Sequence, residues 1–122
     1  MPEEPLYRSL LLDFYGELLT RRQRECYELH YNEDLSLSEI AEQCRISRQA
    51  AWENIRRALA AMEDLEEKTG LIRRFLLTEE QLKKLRARLE ELRRKTAEAE
   101  TAEALQDAEE TLTSLLLTEQ GM

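Results

Sequence analysis

The sequence predicts an all-α protein, and three observations support that prediction. Gly and Pro are scarce, at 3 and 2 of 122 residues, whereas the good helix formers Leu, Ala, Glu and Arg are abundant. Apolar residues recur at steps of three and four through most of the chain, which is the spacing of one helix face. Several Ser and Thr residues stand where the side chain of a helix N-cap is expected.

The first two helices are predicted from an apolar stripe and a capping signal. Residues 6–19 form an amphipathic helix, which Gly16 weakens. Thr20 and Gln23 have the spacing of a capping box, so a second helix is expected over Arg21–Tyr31. The inward stripe of the first helix is predicted to consist of Leu6, Leu10, Leu11, Phe14, Tyr15 and Leu18.

Residues 35–59 predict a helix-turn-helix, around which the rest of the chain is organised. Ser36 and Glu39 form another capping box, so a third helix is expected over Leu37–Cys44. Residues 45–47 leave room only for a tight turn. Two helices joined by so short a turn make the unit that places its second helix in a DNA groove.

The second helix of this unit is predicted over Arg48–Thr69, with Ser47 as its N-cap and Gly70 as the residue that ends it. Arg45 occupies the turn position at which many such units use a left-handed Gly. Apolar residues spaced by three and four give this helix one inward face. That face is predicted to consist of Ala51, Ile55, Ala58, Leu59, Met62 and Leu65.

The opposite face of this helix carries the residues expected to bind DNA. Arg can pair bidentately with guanine and Gln with adenine, and both side chains stand at its start. Arg farther along suits phosphate contacts, as do Arg21 or Arg22, and Glu suits cytosine. The Trp is expected either to face outward against a base, sugar or protein, or to fold against a neighbouring helix. The candidate DNA-binding residues are Arg48, Gln49, Trp52, Glu53, Arg56 and Arg57.

The domain boundary is expected near Gly70, giving a helix-turn-helix domain of four helices over 1–70, without a winged element, and a charged helical tail over 71–122. Thr78 and Gln81 have capping-box spacing and predict a helix start at residue 79.

The tail has two rows of apolar residues with heptad spacing, and the second row is displaced by two positions from the register of the first. This displacement favours separate tail helices over 79–95 and 102–118, although one long helix remains an alternative. The rows are Leu82, Leu85, Leu89 and Leu92, and Leu105, Ala108, Leu112 and Leu115. Residues 73–95 carry nine Lys or Arg and four Asp or Glu, whereas residues 98–119 carry seven acidic residues and no basic one. Helices of opposite charge pair well, either within a hairpin or across a homodimer, and a homodimer is expected.

Composition and residue pattern exclude several classes of function. No nucleophile–base pair, Gly-rich phosphate loop or metal-ligand spacing is present, so the sequence predicts no catalytic, cofactor or metal site and no enzyme. His30 is the only histidine and is interpreted as a core or boundary residue. Cys26 and Cys44 are interpreted as buried thiols. The longest apolar run is too short to span a bilayer and the N-terminus lacks the pattern of a signal peptide, so a cytoplasmic protein is expected.

Three segments of the chain resemble the YlxM family of small bacterial helix-turn-helix proteins. They are DFYGELLT at 13–20, LHYNEDLSLSEIAE at 29–42 and ISRQAAWENIRR at 46–57. The resemblance covers roughly residues 6–75. The chain departs from it at Ala51 and Trp52, where the family commonly has a β-branched residue and a Tyr.

The resemblance implies an all-α cytoplasmic protein whose helix-turn-helix is similar to the promoter-reading region 4 of sigma factors. It also implies a link to the signal recognition particle, because family genes typically neighbour the gene for the particle's GTPase. The expected function is therefore regulation of transcription through double-stranded DNA. The alternative is an adapter that binds the protein or RNA of the signal recognition particle. The net charge of −8 means that DNA binding must come from a local basic surface.

Overall fold

The computed structural model describes the backbone of residues 4–120 and the side chains of residues 4–117. All regular secondary structure in that range is helical, which confirms the predicted all-α class. A short 3₁₀ turn over Gly16–Leu18 follows the first helix. The α-helices are α1 Glu4–Tyr15, α2 Arg21–Tyr31, α3 Leu37–Cys44, α4 Arg48–Thr69, α5 Leu71–Lys95 and α6 Ala99–Gln120.

Side-chain caps fix the starts of α2, α3 and α4 where the sequence predicts them. Complete capping boxes join Thr20 to Gln23 and Ser36 to Glu39. The Ser47 hydroxyl accepts a hydrogen bond from the Ala50 amide at 3.0 Å. Each cap satisfies an amide that has no partner within the helix, and such caps typically contribute about 1 kcal/mol.

The prediction for the first helix is wrong at its end, because α1 stops at Tyr15 and the chain continues as the 3₁₀ turn. Gly16 is buried at this point, and a Cβ there would lie 3.0 Å from Leu12 Cδ1. The early end lets Thr20 adopt the extended conformation that a cap requires. As a consequence Leu18 is 71% exposed, and Leu6 is also exposed rather than part of the inward stripe.

The tail helices also differ from the prediction. Helix α5 begins at Leu71 and runs through Thr78, so Thr78 caps nothing and the predicted start at residue 79 is wrong. A side chain of the preceding helix caps the start of α5, because the Glu66 carboxylate, which also accepts from the distant Tyr15 hydroxyl, accepts the Ile72 amide at 2.9 Å. Gly70, at φ 63°, lets the chain leave α4 within a single residue.

The predicted break between two tail helices is confirmed, since α5 ends at Lys95 and α6 begins at Ala99, three residues before the predicted position. The one-helix alternative is therefore wrong. Arg93 Nε lies 2.7 Å from Glu109 Oε2, so an ion pair links α5 to α6. The basic and acidic segments seen in the sequence meet at this contact.

The core of the helix-turn-helix lies between α2, α3 and α4. Ala51, Ile55, Ala58 and Met62 form the buried face of α4, as predicted, whereas Leu59 and Leu65 are only half-buried. One buried cluster draws residues from all three helices, and it consists of Cys26, Leu29, Ile40, Cys44, Ala51 and Ile55. Both cysteines are buried free thiols, as the sequence predicts.

Helix α1 is held on this core through an aromatic residue of α2. The Tyr27 hydroxyl donates to the Arg8 carbonyl oxygen at 2.9 Å, and the Arg8 guanidinium lies 4.4 Å from the centre of the Tyr31 ring. Burial raises the pKa of Tyr27, so its proton stays available for that bond. The chain as a whole divides into two compact units, whose boundary lies between Ile72 and Arg73.

Candidate nucleic-acid interface

The turn between α3 and α4 sets the direction of the second helix of the helix-turn-helix. Arg45 adopts the left-handed conformation at φ 58°, in the position where Gly is the common choice. The Ile46 amide donates to the Ala41 carbonyl oxygen at 3.0 Å, and the Ile46 side chain packs against the buried cluster. A backbone bond and an apolar anchor therefore hold the turn in one conformation.

The six candidate DNA-binding residues all lie on the outer side of α4, away from its buried face. Five are exposed and Glu53 is half-buried. Positions 48, 52 and 56 follow each other at four-residue steps, as do 49 and 53, so they form one continuous surface. We call this surface the α4 face; its members are Arg48, Gln49, Trp52, Glu53, Arg56 and Arg57.

Arg48 and Gln49 occupy the first turn of the helix, which is the part that reaches base edges in a helix-turn-helix. Both are exposed. Within the part of the chain that the structure describes, Arg48 forms no ion pair. Its guanidinium is therefore available for bidentate pairing, and the amide of Gln49 stands beside it.

Trp52 is 46% exposed, so about half of its surface faces solvent and half is covered by the protein. Indole is large and apolar and has a single N–H donor, so leaving half of it in water is unfavourable unless a ligand covers it. Its place between Arg48 and Arg56 suits an apolar contact with a thymine methyl group or a deoxyribose.

Glu53 binds the two arginines that follow it on the helix. Its Oε1 lies 2.6 Å from an Nη of Arg56 and 2.9 Å from Nε of Arg57. Hydrogen bonds from Arg56 and then from Arg57 lower the pKa of Glu53, and the same contact raises the pKa of Arg56. A base or phosphate can therefore bind the guanidinium groups of Arg56 and Arg57 only by displacing the Glu53 carboxylate. Likewise, cytosine can bind Glu53 only by displacing these guanidinium groups.

A second basic surface lies beside the helix-turn-helix, where the start of α2 meets the end of α3. Its lining combines three arginines with one carboxylate, and we call it the α2–α3 cleft; its members are Arg21, Arg22, Glu25, Gln43, Cys44 and Arg45. The sequence suggested Arg21 and Arg22 as phosphate ligands but gave no role to Arg45. Only the packing of α2 against α3 and α4 brings these residues to one place.

Polar contacts inside the cleft involve its single carboxylate. The Cys44 thiol donates to Glu25 Oε1 at 3.2 Å, and Arg22 lies 3.7 Å from Glu25 Oε2. Burial, followed by this carboxylate, raises the pKa of Cys44. The thiol therefore remains protonated at neutral pH and acts as a hydrogen-bond donor.

Metal binding finds no support among residues 4–117, where no three His, Cys, Asp or Glu side chains form a group able to hold an ion. His30 is half-buried and its Nδ1 lies 3.0 Å from the Leu35 carbonyl oxygen, as expected of a boundary residue. None of the helices over residues 4–120 has both the length and the apolar character needed to cross a bilayer.

Comparison with known proteins gives one consistent family. The model of a family described as "UPF0122: Putative helix-turn-helix protein, YlxM / p13 like" matches residues 3–107. A UPF0122 protein of Geobacillus kaustophilus is 41% identical over 110 residues, which cover 90% of this chain and 98% of that protein. A UPF0122 protein of a Thermoanaerobacter species is 37% identical over 107 residues, which cover 88% and 92%.

A shorter alignment with a third relative has a higher identity. A UPF0122 protein of Acetivibrio thermocellus is 54% identical over 68 residues. That alignment covers 56% of this chain and 58% of the relative.

Proposed function

The chain belongs to the UPF0122 family of helix-turn-helix proteins, and from that premise we propose that it binds duplex DNA through the α4 face. The first turn of α4 would enter the major groove, with Arg48 pairing to guanine and Gln49 to adenine. Trp52 would cover an apolar part of the groove. The biological role that follows is regulation of transcription in the bacterial cytoplasm.

The observation that carries the proposal is the start of α4, where a capped helix presents an exposed arginine, an exposed glutamine and a half-exposed tryptophan. These side chains combine bidentate hydrogen-bonding groups with an apolar surface, which is what contact with base edges requires. The net charge of −8 gives no general attraction to phosphate, so a local basic surface and base contacts must supply the affinity.

Arg56 and Arg57 would contribute to DNA affinity once their ion pairs with Glu53 are replaced by contacts with the nucleic acid. Arg56 lies on the same face as Arg48 and would reach a base, and Arg57 would reach a backbone phosphate. Glu53 would accept from cytosine after this exchange. The Glu53 carboxylate would therefore weaken binding to any sequence that has no cytosine placed to donate to it. This penalty would favour specific over non-specific sites.

The test is a selection of duplexes from a random pool at low salt, followed by binding measurements on the enriched sequence. The Arg48→Ala, Arg56→Ala double variant is expected to weaken binding by a factor of roughly 30 or more, since each of the two bidentate base contacts contributes about 1–3 kcal/mol. Lys68→Ala removes a cation from the far end of the same helix, where it is paired with Asp64, and serves as the control. Failure to enrich any sequence would contradict the proposal.

A second candidate function is an adapter that binds the protein or RNA of the signal recognition particle. The acidic net charge and the internal pairing of Arg56 and Arg57 favour a protein partner over bare duplex DNA. Binding to the particle's protein and RNA, measured separately and in the assembled complex, would decide it. A chain that enriches no DNA sequence but binds one of these components would replace the first function by the second.

We also propose that residues 71–122 act as a dimerisation element for the domain over 1–70. Leu85 and Leu92 are 47% and 55% exposed on α5, and their seven-residue spacing puts them on one face. The partner is a second copy of the chain, because its acidic α6 complements the basic α5. Light scattering should show a dimer that Leu85→Glu with Leu92→Glu converts to a monomer, whereas Ala87→Glu, on another side of α5, leaves it intact.

A further inference from the structure

We propose that the α2–α3 cleft is a binding site for a phosphate group, and that it holds a backbone phosphate of the nucleic acid that contacts the α4 face. The second part of this inference rests on the proposed function. The first part, a site for the phosphate group itself, does not depend on it.

The charge of the cleft supports an anionic ligand. Three guanidinium groups line it against the single carboxylate of Glu25. Among the residues that the structure describes, Arg21 and Arg45 form no ion pair, and Arg22 meets Glu25 only at 3.7 Å. In a chain with eight more acidic than basic residues, so many guanidinium groups around one carboxylate leave a local positive charge that an oxyanion can neutralise.

The cleft is also preorganised. Arg21 opens α2 directly after the capping residue Thr20, and Arg45 stands in the turn that the Ile46 anchor holds. The backbone at Arg21 and at Arg45 is thus fixed by contacts within the protein, which form without a ligand. Fewer rotatable bonds are therefore immobilised when a ligand binds than on a flexible loop.

The position of Arg45 ties the cleft to the α4 face. Only two residues separate it from Arg48, so their Cα atoms can lie at most about 11 Å apart. The major groove of B-DNA is about 12 Å wide and is bordered by phosphates on both sides. A guanidinium on a residue this close to the helix start can reach a phosphate at the groove edge while Arg48 reaches a base.

A phosphate held in the cleft would fix the register of α4 without reading sequence, because phosphate contacts position a protein and base contacts specify its site. Removal of the site should weaken binding to all sequences by a similar factor. It should also lower the salt dependence of binding, by about one unit of slope for each phosphate that the protein no longer neutralises.

The experiment compares the full-length chain with Arg21→Gln, Arg45→Gly. Glycine suits the left-handed turn, so this variant should fold at least as well as the wild-type chain, and thermal unfolding would verify that. The slope of log affinity against log salt for the selected duplex is expected to fall by about 1 to 2, with the base preference unchanged. Lys68→Gln is the matched control, and it should leave the slope unchanged.

A second measurement separates this site from the proposed function. Inorganic phosphate and pyrophosphate are titrated into the ¹⁵N-labelled chain, and the amide signals of Gln43 and Cys44, which the variant retains, are followed. If the variant abolishes these shifts but DNA binding is unchanged, the site is assigned to a free phosphate compound. The same assignment follows if the shifts are abolished and the chain binds no duplex at all. The inference is overturned if neither the salt slope nor these signals distinguish the variant from the wild-type chain.

Discussion

Of the seventeen buried apolar residues in the described part of the chain, fifteen precede Arg73, and the second unit contributes only Leu112 and Leu116. The first unit draws its buried residues from α1 to α4 and from the start of α5, whereas the second leaves leucines of α5 and α6 in water. The first unit therefore has the core of an independently stable domain. The second has a surface that a further chain can cover. The difference indicates which part supports the site and which part is suited to assembly.

The largest expected effect is on the core of the first unit. Ile55→Ala should lower the free energy of unfolding by about 2–5 kcal/mol, because it leaves a cavity among fully buried neighbours. Urea denaturation followed by circular dichroism would measure it. Leu18→Ala shortens a side chain that is 71% exposed in the same unit and should cost less than about 0.5 kcal/mol. Equal losses would mean that the two positions are equally buried in solution.

The next effect concerns the end of the first unit, where Glu66 joins three elements. The Tyr15 hydroxyl donates to Glu66 Oε1 at 2.7 Å, and the same oxygen accepts the Ile72 amide. Tyr15→Phe should cost about 1–2 kcal/mol, since it removes a hydrogen bond to a charged group. The midpoint of thermal unfolding should fall accordingly, whereas Tyr7→Phe, whose hydroxyl forms no hydrogen bond among the described residues, should change it little.

Alkaline pH should affect the first unit specifically, because both cysteines lie there. Burial raises the pKa of Cys26 to about 11. Between pH 9 and 11 the thiol ionises in the unfolded chain but keeps its proton in the folded one. Through Cys26 alone, the free energy of unfolding therefore falls as pH rises with a slope approaching about 1.4 kcal/mol per pH unit, to which other groups of raised pKa, such as Cys44 and Tyr27, add. Urea denaturation across this range should show a shallower fall for Cys26→Ala, and an unchanged slope would contradict the assignment.

The smallest expected effect lies on the α4 face. Glu53→Gln should release Arg56 and Arg57 and strengthen non-specific duplex binding several-fold at low salt, because both guanidinium groups then become available to phosphates. Fluorescence anisotropy with an unselected duplex would measure it. Glu67→Gln makes the same charge change at the exposed far end of α4 and separates release of the arginines from the change in net charge.

Much of the helix-turn-helix could be predicted from the sequence, because its boundaries depend on contacts within a few residues. Ser36, Ser47 and Gly70 act on their own helix ends, and the structure places α3 and α4 at the predicted bounds. The position of Trp52 outside the buried face of α4 follows from the helical period of about 3.6 residues. By contrast, the pairing of Glu53 with Arg56 and Arg57 has ordinary helical spacing but does not follow from the sequence, since several partners compete for each charge.

By itself, the sequence determined the helical class, the caps and the face of α4 that carries the candidate site, since all three depend on local hydrogen bonds and periodicity. The tertiary structure decided where α1 ends, where α5 begins and which leucines stay exposed. It also decided that Arg21 and Arg45 line one cleft. Those outcomes depend on contacts between residues far apart in the chain, such as Glu66 with Tyr15, which no local pattern encodes.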